Sequence, residues 1–155
     1  MREAPGLTEN NAGSIELRLP SRLGYEKVAM NTAASVAKLM GFADDRVEDL
    51  KTAVAEACIN AMEHGNKLDD SLSVGVILSM DETTLEVKVT DTGDGPTGIT
   101  HSPDIDKKML EEEDSRGMGM FLIQALVDEA EWVPSTGTDE QSFVRLVIRM
   151  NKENE

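Results

Sequence analysis

Aromatic residues are scarce in this chain of 155 residues, at 3%: one tryptophan, one tyrosine and three phenylalanines. A core must therefore be filled by Val, Leu, Ala and Met, and the nine methionines make it adaptable. There is one cysteine, Cys58, so no internal disulfide can form, which fits a reducing, intracellular setting. With only two histidines beside that cysteine, a zinc site has too few ligands. Basic residues are outnumbered two to one, 15 against 30 acidic ones, giving a formal net charge of -15. A surface that acidic repels phosphate backbones and argues against direct nucleic-acid binding. It does not exclude a nucleotide, because a small site can reverse the local field with a metal ion, an arginine and oriented backbone N–H groups. No run of apolar residues approaches bilayer-spanning length. The first eleven residues lack the apolar stretch of a signal peptide. A cytoplasmic protein without a membrane partner is expected.

The length suits one core rather than two. We expect a loose tail at 1–12, one domain over 13–150, and a second tail at 151–155. Ile15, Leu17 and Leu19 alternate with polar neighbours, a half-buried strand stopped by Pro20. Apolar residues keep helical spacing from Tyr25 to Met40, and Gly41 ends that helix. Asp44 or Asp45 is placed to cap a second helix that runs to about Glu63 and stops at Gly65. Leu72 to Met80 and Leu85 to Val89 alternate as strands around an Asp81–Thr84 turn. The weakly patterned stretch 97–115, with its acidic run Glu111–Asp114, reads as a lid. A short helix around Ile105 to Leu110 fits inside it. A largely apolar helix follows over Gly119 to Ala130, then a short strand at Glu131–Val133 and a long one at Phe143–Met150. The order predicts an α/β two-layer sandwich, with a mixed, mostly antiparallel sheet covered on one face by about three helices.

The most informative phrase is Glu56-Ala57-Cys58-Ile59-Asn60-Ala61-Met62-Glu63-His64-Gly65. Residues four apart stack on one helix face, so Glu56, Asn60 and His64 line up. The stripe Val47, Leu50, Val54, Ala57, Cys58 and Ala61 occupies the face that buries. Asp91 ends a strand on the same parity as Leu85, Val87 and Val89. A carboxylate that continues an apolar face needs compensating donors. Two glycine turns follow, Asp91-Thr92-Gly93-Asp94-Gly95 and Arg116-Gly117-Met118-Gly119. Glycines before a helix let backbone N–H groups face an anion. Helix and turns together point to a nucleotide site.

These three motifs resemble the boxes of the ATPase fold shared by histidine kinases, DNA gyrase, the mismatch-repair protein MutL and a heat-shock chaperone. Glu56-Ala57-Cys58-x-Asn60-Ala61-x-x-His64-Gly65 and Arg116-Gly117-Met118-Gly119-Met120-Phe121-Leu122-Ile123 resemble a narrower branch, the anti-sigma factors of the RsbW and SpoIIAB type. The likeness covers roughly Ile15 to Met150. It implies a serine/threonine protein kinase that phosphorylates a small anti-anti-sigma antagonist and sequesters a sigma factor, as a homodimer. It also implies ATP and Mg²⁺ as cofactors. Glu56 would be the general base and Asn60 the Mg²⁺ ligand beside the phosphates. Asp91 would accept from the adenine amino group, with Gly93 and Gly95 allowing the backbone to pass close to base and ribose. Arg116, Gly117 and Gly119 would lie along the phosphates. His64, at a helix end, fits a cap as well as a place near the phosphates. The chain departs from the pattern at Pro96, and at Gly137-Thr138, which four residues separate from the last strand, so Thr138 receives no role. The alternative is a non-catalytic module of the same fold that binds ATP or a protein. The retained Glu56 favours the kinase.

Overall fold

The structure is a computed structural model and describes residues 13–91, 119–134 and 142–150. The expected tails, the expected lid at 97–115 and the helix expected within it, together with Gly93, Gly95, Arg116, Gly117 and Thr138, lie outside the described residues. The elements are β1 (Gly13–Pro20), α1 (Glu26–Met40), α2 (Asp44–Asn60), β2 (Ser73–Met80), β3 (Thr84–Asp91), a third helix α3 over 119–126, β4 (Glu129–Val133) and β5 (Phe143–Arg149). The strands form one five-stranded sheet in the order β1-β2-β3-β5-β4, and every neighbouring pair is antiparallel.

Period-2 alternation decides which face of the sheet is covered. Val74, Val76 and Leu78 of β2, Leu85, Val87 and Val89 of β3, and Val144, Leu146 and Ile148 of β5 are buried on one face. Against them pack Ala29, Ala33 and Ala37 of α1, Val47, Leu50, Val54, Ala57 and Cys58 of α2, and Ile123 of α3. Among the aromatic side chains described, only that of Phe42 is buried, whereas Phe121 is 73% exposed. Small and aliphatic residues thus supply the close helix–sheet contact. Burial pushes the Cys58 thiol up to about 12, with the charge of Glu26 a lesser cause. A thiol held protonated in this way is packing material, not a nucleophile.

Three boundaries differ from the sequence reading. Ala43, not an aspartate, caps α2, and it makes no side-chain cap hydrogen bond. Asp44 and Asp45 instead occupy the first turn, where they complement the helix dipole. Beyond Asn60 the backbone widens into a π-helical turn over Ala61–Gly65. The third helix ends at 126, short of Ala130, because Ala130 pairs with Leu146 in β4. Asp128 fixes that change of direction. Its Oδ2 accepts from Arg46 of α2 at 2.8 Å and from the backbone N–H of Arg149 at 2.6 Å.

The face of the sheet turned away from the helices carries ion pairs. Arg145 donates to Glu86, and to Glu129 and Glu131 of β4 at 3.2 and 3.3 Å. Arg149 also pairs with Glu129. The hydrogen bond from Arg149, then that from Arg145, holds the Glu129 carboxyl below its ordinary value of 4.5. A carboxylate whose folded pKa is depressed adds stability above its unfolded pKa and loses it as pH falls through the folded value. In thermal melts from pH 7 to 3, the lead of the wild type over Glu129→Gln is therefore expected to shrink below about pH 4.5. A constant offset across that range would remove these pairs from the acid response. Among the described residues, no helix is long and apolar enough to cross a membrane.

Candidate functional site

The buried stripe of α2 holds the helix against the sheet and so fixes where its other side chains point. Glu56 and Asn60 follow one another by a turn near the C-terminal end of α2. Glu56 is half-buried, and Asn60 is 8% exposed. The Nδ2 of Asn60 makes no hydrogen bond with any described residue, although it is buried. Such a group is costly unless a ligand or water completes it.

Gly119, the first described residue of α3, closes on this pair. A Cβ built there would stand 2.8 Å from Glu56 Oε2 and 2.8 Å from Asn60 Nδ2. No side chain fits without displacing one of them. The glycine thus lets the backbone of α3 approach the carboxylate and amide closely.

Asp91 closes the other end of the site. It is 6% exposed, on the same face of β3 as Val87 and Val89, as its parity predicts. The ladder pairs Thr90 with Phe143, which sets residue 142 beside residue 91. Ser142 is buried there, and its hydroxyl donates to Asp91 Oδ2 at 3.4 Å. The sequence pattern gives no sign of Ser142 at this place. Only the pairing of β3 with β5 places it there.

Gly65 is the second residue whose place in the site the sequence did not reveal. It had been read as a helix stop. In the structure the wider π-helical turn carries it against the Asp91 carboxylate. A Cβ on Gly65 would meet Oδ2 and would stand 2.5 Å from Cγ and 2.8 Å from Cβ of Asp91. The turn is held by the Asn66 N–H donating to the Ala61 carbonyl at 2.8 Å. The chain then leaves through Lys67 and Leu68, both with positive φ, 56° and 60°. Asn66 Nδ2 ties the exit to β2 through the Ser73 carbonyl at 2.9 Å. His64 rides on the same turn, half-buried.

One cavity joins the two ends. Asn60, Gly65, Asp91, Met120, Trp132 and Ser142 are among the residues that line it. The structure therefore brings Asn60 and Asp91 to one cavity, with Gly119 and Glu56 beside Asn60. The amide oxygen of Asn60 is a hard ligand of the kind that suits Mg²⁺, which keeps several waters and takes few protein ligands. A buried strand-end carboxylate suits recognition of an amino group. The donor set fits a nucleotide with Mg²⁺.

Comparison with known proteins agrees with this geometry. The histidine kinase-like ATPase domain family matches residues 19–148. The serine-protein kinase RsbW of Bacillus subtilis (strain 168) is 36% identical over 132 residues, 78% of this chain and 78% of that protein. The RsbW of Bacillus thuringiensis (strain Al Hakam) is 31% identical over 134 residues, 79% of each chain. A crystal structure of the RsbU and RsbW domains of Rv1364c from Mycobacterium tuberculosis shares the fold, with a TM-score of 0.58 at 18% identity. That match covers 88% of this chain and 32% of the longer one, so the present chain spans about a third of that protein's resolved length. The chain belongs to the histidine kinase-like ATPase family and, within it, to the branch of the RsbW serine-protein kinases.

Proposed function

We propose that the chain is a Mg²⁺-ATP-dependent protein kinase that phosphorylates a serine or threonine of a small antagonist protein and, as an anti-sigma factor, sequesters a sigma factor. The observation that carries this reading is the convergence of Glu56, Asn60 and Gly119 at one end of a cavity that has Asp91 at the other. The net charge of -15 favours a protein partner over nucleic acid. Homodimer formation and a cytoplasmic location belong to the same reading.

Asp91, oriented by Ser142 and Gly65, accepts from the amino group of adenine. Asn60 offers its amide oxygen as a ligand to Mg²⁺, which when bound neutralises charge on the phosphate oxygens. Arg116 and the glycines at 93, 95, 117 and 119 are assigned to the base, ribose and phosphates. Glu56 holds the hydroxyl of the protein substrate in line and takes its proton as the oxygen bonds to the γ-phosphorus. The bond from that phosphorus to the bridging oxygen breaks, and ADP leaves. Phosphoryl transfer is mostly positioning and charge neutralisation, which asks little else of the protein.

The adenine assignment has its own test. Asp91→Asn replaces an acceptor by a group with an unmatched donor, at an expected cost of about 1–3 kcal/mol in ATP affinity. Calorimetry with ATP and GTP reads it. ATP is expected to bind and GTP to bind poorly, with the substitution weakening ATP. Equal binding of both nucleotides, indifferent to Asp91→Asn, would remove Asp91 from base recognition.

A further inference from the structure

Asn66 follows the π-helical turn directly, where the chain leaves the site. Asparagine is mostly a surface residue, yet this one is only 2% exposed. Its two polar ends hold different parts of the fold. The backbone N–H closes the π-helical turn on the Ala61 carbonyl. The side-chain Nδ2 reaches across to β2 and donates to the Ser73 carbonyl. Ser73 precedes Val74, and Val74 is the ladder partner of Asp91. Asp91 in turn accepts from Ser142, the residue before β5. Ser73, Asp91 and Ser142 thus mark a line across the ends of β2, β3 and β5, and Asn66 fastens the turn to that line.

The backbone beyond Asn66 is strained. Lys67 and Leu68 both hold positive φ, a conformation in which Cβ crowds the following carbonyl oxygen. It persists where surrounding contacts over-determine it. Two such contacts flank the pair: the Asn66 side chain on β2, and the Leu68 N–H donating to the Met62 carbonyl at 2.7 Å. Between them the chain doubles back over the turn and keeps Gly65 packed on the Asp91 carboxylate, with no room for a Cβ. A small displacement of the turn therefore changes the space beside that carboxylate.

We propose that Asn66 is a positioning residue for the adenine end of the site. Its side chain holds the π-helical turn where Gly65 meets Asp91, and so sets how the amino group of the base approaches that carboxylate. This rests on the nucleotide reading above and deepens it. Asn66 touches no part of the nucleotide and acts through Gly65 and Asp91.

Two ligands separate positioning from mere support of the fold: ADP, and purine riboside diphosphate, which is ADP without its amino group. Both are titrated with Mg²⁺ into the wild type and Asn66→Ala by calorimetry. The wild type is expected to bind ADP more tightly than the analogue. Asn66→Ala is expected to weaken ADP about tenfold and the analogue by less than about twofold, because only ADP has the amino contact to lose. The stoichiometry is expected to stay that of the wild type. Equal weakening of both ligands, or a lower stoichiometry at unchanged affinity, would reduce Asn66 to a support of the fold. Unchanged ADP affinity in the variant would also overturn the proposal and leave the nucleotide reading standing. A wild type that binds both ligands equally would take Asp91 out of amino-group recognition, and this inference with it, while the ATP site remains. A wild type that binds neither would end the nucleotide reading itself. Should Asn66→Ala not fold, Asn66→Ser, whose hydroxyl is one bond shorter than the amide, decides by the same comparison.

Discussion

Glu56→Gln is expected to keep ATP binding and lose phosphate transfer by about 10²–10⁴-fold, the usual contribution of a general base. The amide keeps the size and hydrogen-bonding reach of the carboxylate and cannot take a proton. Because a Cβ on Gly119 would stand 2.8 Å from Glu56 Oε2, an isosteric change leaves the approach of α3 undisturbed. Calorimetry on the variant is expected to give the wild-type ATP affinity, which separates loss of chemistry from loss of the site. Asn60→Ala is the contrasting change: it should weaken the Mg²⁺-dependent part of ATP binding. A Glu56→Gln chain that phosphorylates its substrate at the wild-type rate would show that another group takes the proton.

Gly65→Ala is expected to damage the site from outside the reaction centre, through both stability and nucleotide affinity. The added methyl would stand 2.8 Å from Asp91 Cβ. That atom belongs to a central strand paired on both sides by β2 and β5, so the strand cannot give way. Overpacking of this kind costs about 1–3 kcal/mol of stability. Relief by moving the π-helical turn would carry the Asn60 end of the cavity away from Asp91. ATP affinity is expected to fall by more than about tenfold, through the hydrogen bond to a buried acceptor. Urea denaturation reads the first effect and calorimetry the second. Gly65 and Asp91 are in contact, so the losses in Gly65→Ala and Asp91→Asn should not add in the double variant. Additive losses would mean that the glycine acts elsewhere.

The sequence made the strands and helices legible where one face repeats. Val74, Val76 and Leu78, and Val47, Leu50 and Val54, each mark their element by period, and all are buried. The parity of Asp91 with Val87 and Val89 carried it correctly into the interior. What stayed hidden depended on geometry across the chain. Ser142 beside Asp91 follows from the β3–β5 register, which no local pattern encodes. Gly65 looked like a stop because a π-helical turn has no distinct period in a five-residue stretch. The third helix looked longer because Leu126, Val127 and Ala130 continue an apolar run, and only the pairing of Ala130 with Leu146 turns it into a strand. The aspartates before α2 looked like caps, and the structure places them one position further on. Trp132 drew no attention in the sequence, since a short edge strand carries too little alternation to show which way it faces.

The most direct test of the account is transfer of labelled phosphate. The chain is purified from native extract with whatever protein it holds, then incubated with γ-labelled ATP and Mg²⁺, and label is mapped by residue. The account predicts label on serine or threonine of a small bound protein, dependent on Mg²⁺ and lost in Glu56→Gln. Bound ATP with no transfer to any co-purified protein, or label that persists unchanged in Glu56→Gln, would contradict it.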